Sequence, residues 1–224
     1  MSALEGLEVR RTTTAQQLAD GLSERIMAGA FGPGDRLRES AIAAELGVAR
    51  NTIREAVRIL ELTGLVRYEV NRGAVVIAPT PEKVEALYTA RERLETAAVA
   101  RTPRPGQLDA ITRAFHELED AARTGDPRAI VDRDLAFHQA VVALLDSSRL
   151  DEFFAAMTQE LRFYLTVLSK SETPEEVVAE HAVILDAIRL GDRDRAVAEI
   201  RAHIDTSVRR LNEMLVERHL TNKS

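Results

Sequence analysis

The chain has 224 residues, room for one large domain or two ordinary ones, and its 45% hydrophobic and 29% charged residues suit a globular protein rather than a disordered one. With no cysteine it excludes disulfides, cysteine-ligated zinc and thiol catalysis, and it fits a reducing compartment. Net charge is −6; residues 1–80 balance ten Arg with ten acids, while residues 81–224 set twenty Lys or Arg against twenty-six Asp or Glu. A global basic footprint for nucleic acid is therefore absent, which leaves only a local basic face for that role. No apolar run reaches the roughly 18 residues of a membrane helix, and the opening stretch lacks the apolar core of a signal peptide, so a cytoplasmic protein with no membrane partner is expected.

Thr12, Thr13 and Thr14 offer N-caps for a first helix in which Leu18, Leu22 and Ile26 recur at i, i+4 and i+8. Gly29, Gly32, Pro33 and Gly34 end it. A short second helix spans Ile42 to Leu46 and stops at Gly47; a third runs from Arg50 to Leu62, closed by Gly64. Residues 65–68 and 74–77 alternate as two strands joined by a turn at Asn71-Arg72-Gly73. Three helices followed by a hairpin is the order of a winged helix-turn-helix.

Composition changes at Pro79-Thr80-Pro81, which predicts a stiff linker over 79–82 between a first domain of residues 1–78 and a second of 83–224. In the second domain Pro and Gly breakers delimit six helices, near 82–101, 106–124, 127–146, 150–169, 174–190 and 193–218. Thr173-Pro174-Glu175-Glu176 has the form of a capping box with Pro at the first helical position, and Asp192 is placed to cap the last helix. No strand pattern follows residue 80. The expected fold is mainly α: a winged helix-turn-helix, then an all-α bundle.

On the third helix Ile53, Ala56, Val57 and Leu60 form the buried face, so Arg50, Asn51, Arg54 and Arg58 project outward. Arginine near a helix N-terminus can grip phosphates or the guanine edge, and Asn51 can read adenine bidentately. A merely solvated charged face has the same composition, with Glu55 available for pairing. The preceding turn and following hairpin favour the DNA-reading alternative. Residues 36–77 resemble the DNA-binding domain of the GntR family of bacterial transcription regulators, most closely over Leu46-Gly47-Val48-Ala49-Arg50-Asn51-Thr52-Ile53-Arg54-Glu55-Ala56. The resemblance implies DNA contacts from Arg50 and Arg54, with Ala49, Asn51 and Arg58 beside them and Arg72-Gly73 at the wing tip. Where the family often carries an arginine early in the second helix this chain has Ser40; either Arg38 takes that part or the operator differs.

Asp134 and His138 lie four residues apart on one helix face, and His181 and His203 fall in apolar-periodic stretches of two further helices. One such histidine is usually a hydrogen-bonded core residue; three with an aspartate, all inward, make a shared metal centre plausible. The bundle resembles the FCD effector domain of the FadR subfamily of GntR regulators, and six helices place it nearer the VanR-like group. That resemblance implies Asp134, His138, His181 and His203 as ligands of a divalent ion, zinc first, with nickel or manganese possible on the same donors. It also implies an effector-contacting arginine at Arg91, whose forked donors suit a carboxylate. An exposed helix arginine paired with Glu95 at i+4 accounts for Arg91 equally well. Arg162 is a second candidate for the effector, and Phe137, Phe153, Phe154 and Phe163 are assigned to the core.

The function implied is a ligand-responsive regulator, a repressor in the first instance, binding a palindromic operator on double-stranded DNA as a homodimer and answering to a small carboxylate on the metal. The rivals are a metalloenzyme carrying a DNA-binding domain, since a His/Asp metal can activate water, and a regulator whose metal is purely structural. Neither a di-iron Glu-x-x-His pair nor a His-Glu-x-x-His motif supports the enzyme.

Overall fold

A computed structural model describes residues 13–168 and 173–221, with side chains given to 217; the expectation resting on Thr12 lies outside the described residues. The chain divides into two compact units, Met1–Ala78 and Pro79–Ser224. The first is a winged helix-turn-helix and the second an all-α bundle.

In the first unit α1 (Thr14–Met27) is capped by Thr13, whose side chain accepts from the Gln16 amide. Its buried stripe is Ala15, Ala19, Leu22 and Ile26, while Leu18 sits half-buried at the margin. A strict four-residue step drifts off one face of a 3.6-residue helix, so the mixed step wins over the one read from the leucines. Helix α2 (Glu39–Leu46) starts three residues earlier than its apolar pattern and ends at Gly47, which is left-handed with φ 65°. Helix α3 (Arg50–Leu62) has the expected bounds and buries Ile53, Ala56, Val57 and Leu60.

Strands β1 (Val66–Glu69) and β2 (Gly73–Val76) pair antiparallel, Val66 opposite Val76 and Glu69 opposite Gly73. The turn needs two positive φ angles, met by Asn71 (63°) and Gly73 (78°). Residues 34–37 add a third strip to this hairpin: Arg36 bridges Val75, the Leu37 amide donates to Ala74 and the Val76 amide to Asp35. Gly-Asp-Arg-Leu has no alternation, so its sequence carries no strand signal.

In the second unit α4 (Pro81–Val99), α5 (Pro105–Thr124), α6 (Pro127–Val142), α7 (Ser148–Leu168), α8 (Pro174–Leu190) and α9 (Arg193–Thr221) follow one another. Helix α4 takes in Pro81 and Glu82, so only Pro79 and the N-cap Thr80 stand outside it in the 79–82 stretch. Helix α6 stops at Val142, where a 3-10 turn (Ala143–Leu145) and left-handed Asp146 (φ 56°) redirect the chain. Thr80, Asp126 and Thr173 cap their helices, Thr173 and Glu176 as the reciprocal box. Helix α4 packs on α6 and α9, and α8 on α5 and α9, so α4, α6, α8 and α9 enclose the centre of the bundle. Among the described residues no helix is long and apolar enough to cross a membrane.

Candidate metal centre and DNA-reading surface

Helices α6, α8 and α9 each bring polar ligands to an inward, otherwise apolar stripe. His138 lies between Leu135 and Val141 on α6, His181 between Val177 and Ile184 on α8, and His203 beside Ile200 and Ile204 on α9; all three are buried. One ligand atom from each, together with a carboxylate oxygen of Asp134, lies within 4.8 Å of all the others. The Nε2 atom of His181 is 2.9 Å from Asp134 Oδ1 and 3.1 Å from His138 Nε2, which is itself 3.9 Å from Asp134 Oδ1.

The opposite face of each ring is held. His138 Nδ1 donates to Glu95 Oε2 at 2.7 Å, His181 Nδ1 to the Val177 carbonyl at 2.7 Å, and His203 Nδ1 to Glu180 Oε2 at 3.1 Å. Carboxylates and carbonyls only accept, so each Nδ1 carries a proton and each ring turns its Nε2 to the common point; the proton that His181 Nε2 shares with Asp134 would be given up on coordination. Three imidazole lone pairs and a carboxylate at one point are the donor set of a divalent transition ion, and outer partners of this kind are what orient such ligands. The residues fit a metal. With open positions remaining, a divalent ion would supply Lewis-acid coordination to an anionic ligand.

Within these side chains charge is concentrated on one pair. Burial alone would raise the Asp134 carboxyl, but the hydrogen bond and charge of His181, then His138 and Arg91, hold it well below the ordinary range. Burial would lower His181, and Asp134 outweighs it, so its pKa is raised. Burial, reinforced by the positive charge of Arg91, keeps His138 neutral far below its usual value. His203 is lowered by burial despite Glu180.

The centre opens onto a cavity of about 510 Å³, lined by Asp134, His181 and His203 together with Arg91, Glu180 and Arg210. That volume is the size range of small-molecule sites. Arg91, on α4, is 1% exposed; its Nε donates to Glu95 Oε1 at 2.8 Å and its guanidinium lies 5.0 Å from the Tyr88 ring centroid. Its Nη2 is buried with no hydrogen-bond partner among the described residues. The pair with Glu95 that the sequence offered for an exposed arginine is present, but it is buried, and Arg91 stands in the cavity wall.

In the first unit Arg50, Asn51, Arg54 and Arg58 are exposed on the face of α3 opposite its buried stripe, and Arg38, Ser40, Ala49 and Arg72 are exposed as well. Ala49 is the N-cap of α3 and offers no side-chain acceptor, which leaves first-turn amides of that helix for an anion such as a backbone phosphate. Arg54 Nε is 3.8 Å from Glu39 Oε2, and the Tyr68 hydroxyl donates to the other oxygen of Glu39. Arg72 is tied down by Glu69 at 2.6 Å and by the Gly34 carbonyl at 3.2 Å, next to half-buried Gly73.

Residues 14–76 match the gntR family of bacterial regulatory proteins, and residues 86–206, more than half of the chain, match the FCD domain. The chain belongs to the GntR family. The gluconate operon transcriptional repressor of Bacillus subtilis is 22% identical over 95% of this chain and 91% of its own. A "Probable D-xylose utilization operon transcriptional repressor" of Paenarthrobacter nicotinovorans is 26% identical over 87% of each chain. Among solved structures, a GntR transcriptional regulator from Rhodococcus sp. RHA1 is similar at a TM-score of 0.77, with 29% identity over 89% of this chain and 98% of its own. E. coli McbR/YncC shares the fold at a TM-score of 0.71 and 20% identity over 91% and 99%. Family and relatives are DNA-binding transcriptional regulators, not enzymes, which removes the metalloenzyme rival.

Two expectations for this GntR regulator are corrected by its structure. Arg162 does not line the cavity: it sits on α7, paired with Asp132 of α6 at 3.2 Å, because its register on α7 turns it to the flank of the bundle. Phe153 is 55% exposed, whereas Phe137, Phe154 and Phe163 are fully buried; one step along a helix swings a side chain by about 100°, and Phe154 takes the inward position. Glu180 and Arg210 escaped the sequence reading, and Glu95 entered it only as a partner of Arg91, without its bond to His138. Glu95 carried a signal in its spacing, four residues after Arg91 and on the stripe of Val84, Tyr88 and Ala98. Arg210 and Glu180 sit on different helices, joined at 2.9 Å, and no local pattern relates them.

Proposed function

We propose that this protein is a cytoplasmic transcriptional repressor that binds a palindromic operator as a homodimer, and that a small carboxylate, held by a divalent metal and Arg91 inside the α4–α9 bundle, changes its affinity for DNA. The observation that carries this reading is the meeting of three histidines and Asp134 at one point, of which Asp134, His181 and His203 line a cavity of about 510 Å³ together with an incompletely partnered arginine. An anion entering a mostly apolar bundle needs cationic partners, and an ion with open positions plus a guanidinium supplies them. Zinc is the first choice of metal, with nickel and manganese admitted by the same donors.

Arg50, Asn51, Arg54 and Arg58 would enter the major groove, Ala49 and Ser40 would approach the backbone, and Arg38 and Arg72 with Gly73 would flank it. Repression is supported by the relatives, two of which are named as operon repressors. One represses a gluconate operon, and gluconate is itself a small carboxylate. The effector acts by binding one arrangement of the dimer better than the other, which is the only way a ligand can shift such an equilibrium.

The test pairs metal content with ligand response. Elemental analysis of the purified protein should find about one divalent ion per chain, and a screen of organic acids should yield one that stabilises the loaded protein and alters its binding to the DNA upstream of its own gene. A best hit that is uncharged, or that stabilises metal-free protein equally, would refute the carboxylate-on-metal mechanism and leave the DNA-binding part standing.

A further inference from the structure

Helix α4 buries Val84, Tyr88, Arg91, Glu95 and Ala98 along one stripe, so two charged residues occupy positions that the helix would otherwise fill with aliphatics. Arg91 and Glu95 are 1% and 0% exposed and His138 is fully buried. Nothing about packing requires charge there, and burying it is costly unless every group is engaged. Glu95 is engaged at both ends. Its Oε1 accepts from Arg91 Nε at 2.8 Å and its Oε2 from His138 Nδ1 at 2.7 Å.

We propose that Glu95 is the positioning residue that joins the two halves of this site, presenting His138 to the metal with one oxygen and Arg91 to the anion with the other, so that metal and anion affinities are coupled through a single carboxylate. The inference rests on the metal-and-carboxylate reading given above and adds to it the element that links the two ligands. The other rings lack this arrangement: His181 leans on a backbone carbonyl, and His203 leans on Glu180, which is part-exposed and bound to Arg210. Of the two carboxylate partners, Glu95 and Glu180, only Glu95 is fully buried.

The coupling follows from geometry. A carboxylate is planar, and fixing one oxygen against Arg91 fixes the direction of the other toward His138. Moving the guanidinium to engage an anion through Nη2 therefore reorients the imidazole, and by linkage an ion on His138 Nε2 feeds back on the guanidinium with the same factor. Arg91 influences the ion through Glu95, over and above any direct repulsion.

The experiment is a double-mutant cycle read by Co²⁺ titration of the metal-free full chain: wild type, Arg91→Gln, Glu95→Gln and the double variant. Glu95→Gln should weaken Co²⁺ binding by about 10–100-fold, the loss associated with removing such an orienting partner. Arg91→Gln should weaken it about fivefold or more, at the lower end of ordinary coupling factors. In the double variant the loss should equal that of Glu95→Gln alone, because the relay is already broken. Long-range ¹H–¹⁵N spectra of the metal-free proteins should show His138 protonated at Nδ1 in wild type and as a mixture of tautomers once Glu95 is replaced. A merely structural role would not move that signature.

Co²⁺ affinity of Glu95→Gln equal to wild type, or losses in the two single variants that multiply in the double, would overturn the proposal. If Glu95→Gln does not fold, the double variant decides, since it leaves neither charge of this pair buried alone: binding at wild-type strength overturns the relay and a tenfold loss supports it. Wild-type protein that takes up no Co²⁺ would overturn the metal reading itself, and this inference with it.

Discussion

At the scale of single residues, the exposed arginines of α3 and the buried histidines of the bundle make separable claims. Replacing Arg50 or Arg54 with Ala should weaken a specific operator complex by about 1–3 kcal/mol each, measured by gel shift against the upstream region. Unchanged affinity in both would take α3 out of the interface. Replacing His138, His181 or His203 with Ala should strip the ion, since a site with open positions tolerates the loss of a ligand poorly; elemental analysis after mild purification checks this. Much of this level was legible in the sequence. The outward face of α3 could be written down because helical periodicity fixes which residues share a face, while the Asp134, His138, His181 and His203 set was assigned by the resemblance to the FCD domain. Glu39, Glu180 and Arg210 could not, because what makes them matter is a partner on another element, and periodicity says nothing about which faces meet.

At the scale of elements, the wing and the recognition helix are joined through Glu39 and Tyr68. Burial, and then the hydrogen bond to Glu39, push the Tyr68 hydroxyl up to about 12. A raised pKa means that the folded chain favours the protonated phenol, so this contribution is complete below the ordinary value near 10 and fades as pH climbs toward 12. At pH 11 the phenolate absorbance assignable to Tyr68, taken as wild type minus Tyr68→Phe, should be about a tenth of full ionisation. Glu39→Gln should raise that fraction. Helix α8 offers a second element-level test, since Thr173 and Glu176 close a reciprocal capping box at its start. Thr173→Ala should cost about 0.5–2 kcal/mol in a denaturant melt of the protein. That box was readable as a four-residue pattern. The strip at residues 34–37 was not, since it is a strand only by virtue of β2 beside it.

For the whole molecule the consequences are thermodynamic. A ligand that binds only the native state stabilises it by mass action, about 2.7 kcal/mol at a hundredfold excess over its Kd. For a unit the size of the α4–α9 bundle that corresponds to a rise in Tm of roughly 5–10 °C. A carboxylate effector should produce such a rise in metal-loaded protein and lose most of it in metal-free protein and in Arg91→Ala, as scanning fluorimetry would show. The division into two units was legible because Pro79-Thr80-Pro81 separates two kinds of pattern, β alternation before it and helical periods after it. The enclosure of the ligands by α4, α6, α8 and α9 was not, because the order in which helices neighbour one another is set by packing rather than by any one helix.

The ion pair on α4 also constrains how this protein can change over evolutionary time. Altering Arg91 or Glu95 singly would pass through a form with an uncompensated charge in a dry interior, a penalty of about 3–5 kcal/mol. Against a typical total stability of about 5–15 kcal/mol, few lineages survive that step. Substitution at these two positions is therefore expected to be joint or not at all. The aliphatic wall of the same cavity, at Ile130, Val131, Leu165 and Leu211, carries no such penalty and is free to vary one residue at a time. New effectors should accordingly be acquired by reshaping that wall around an unaltered arginine, so that descendants of this chain differ in the body of the molecule they sense before they differ in its acidic end.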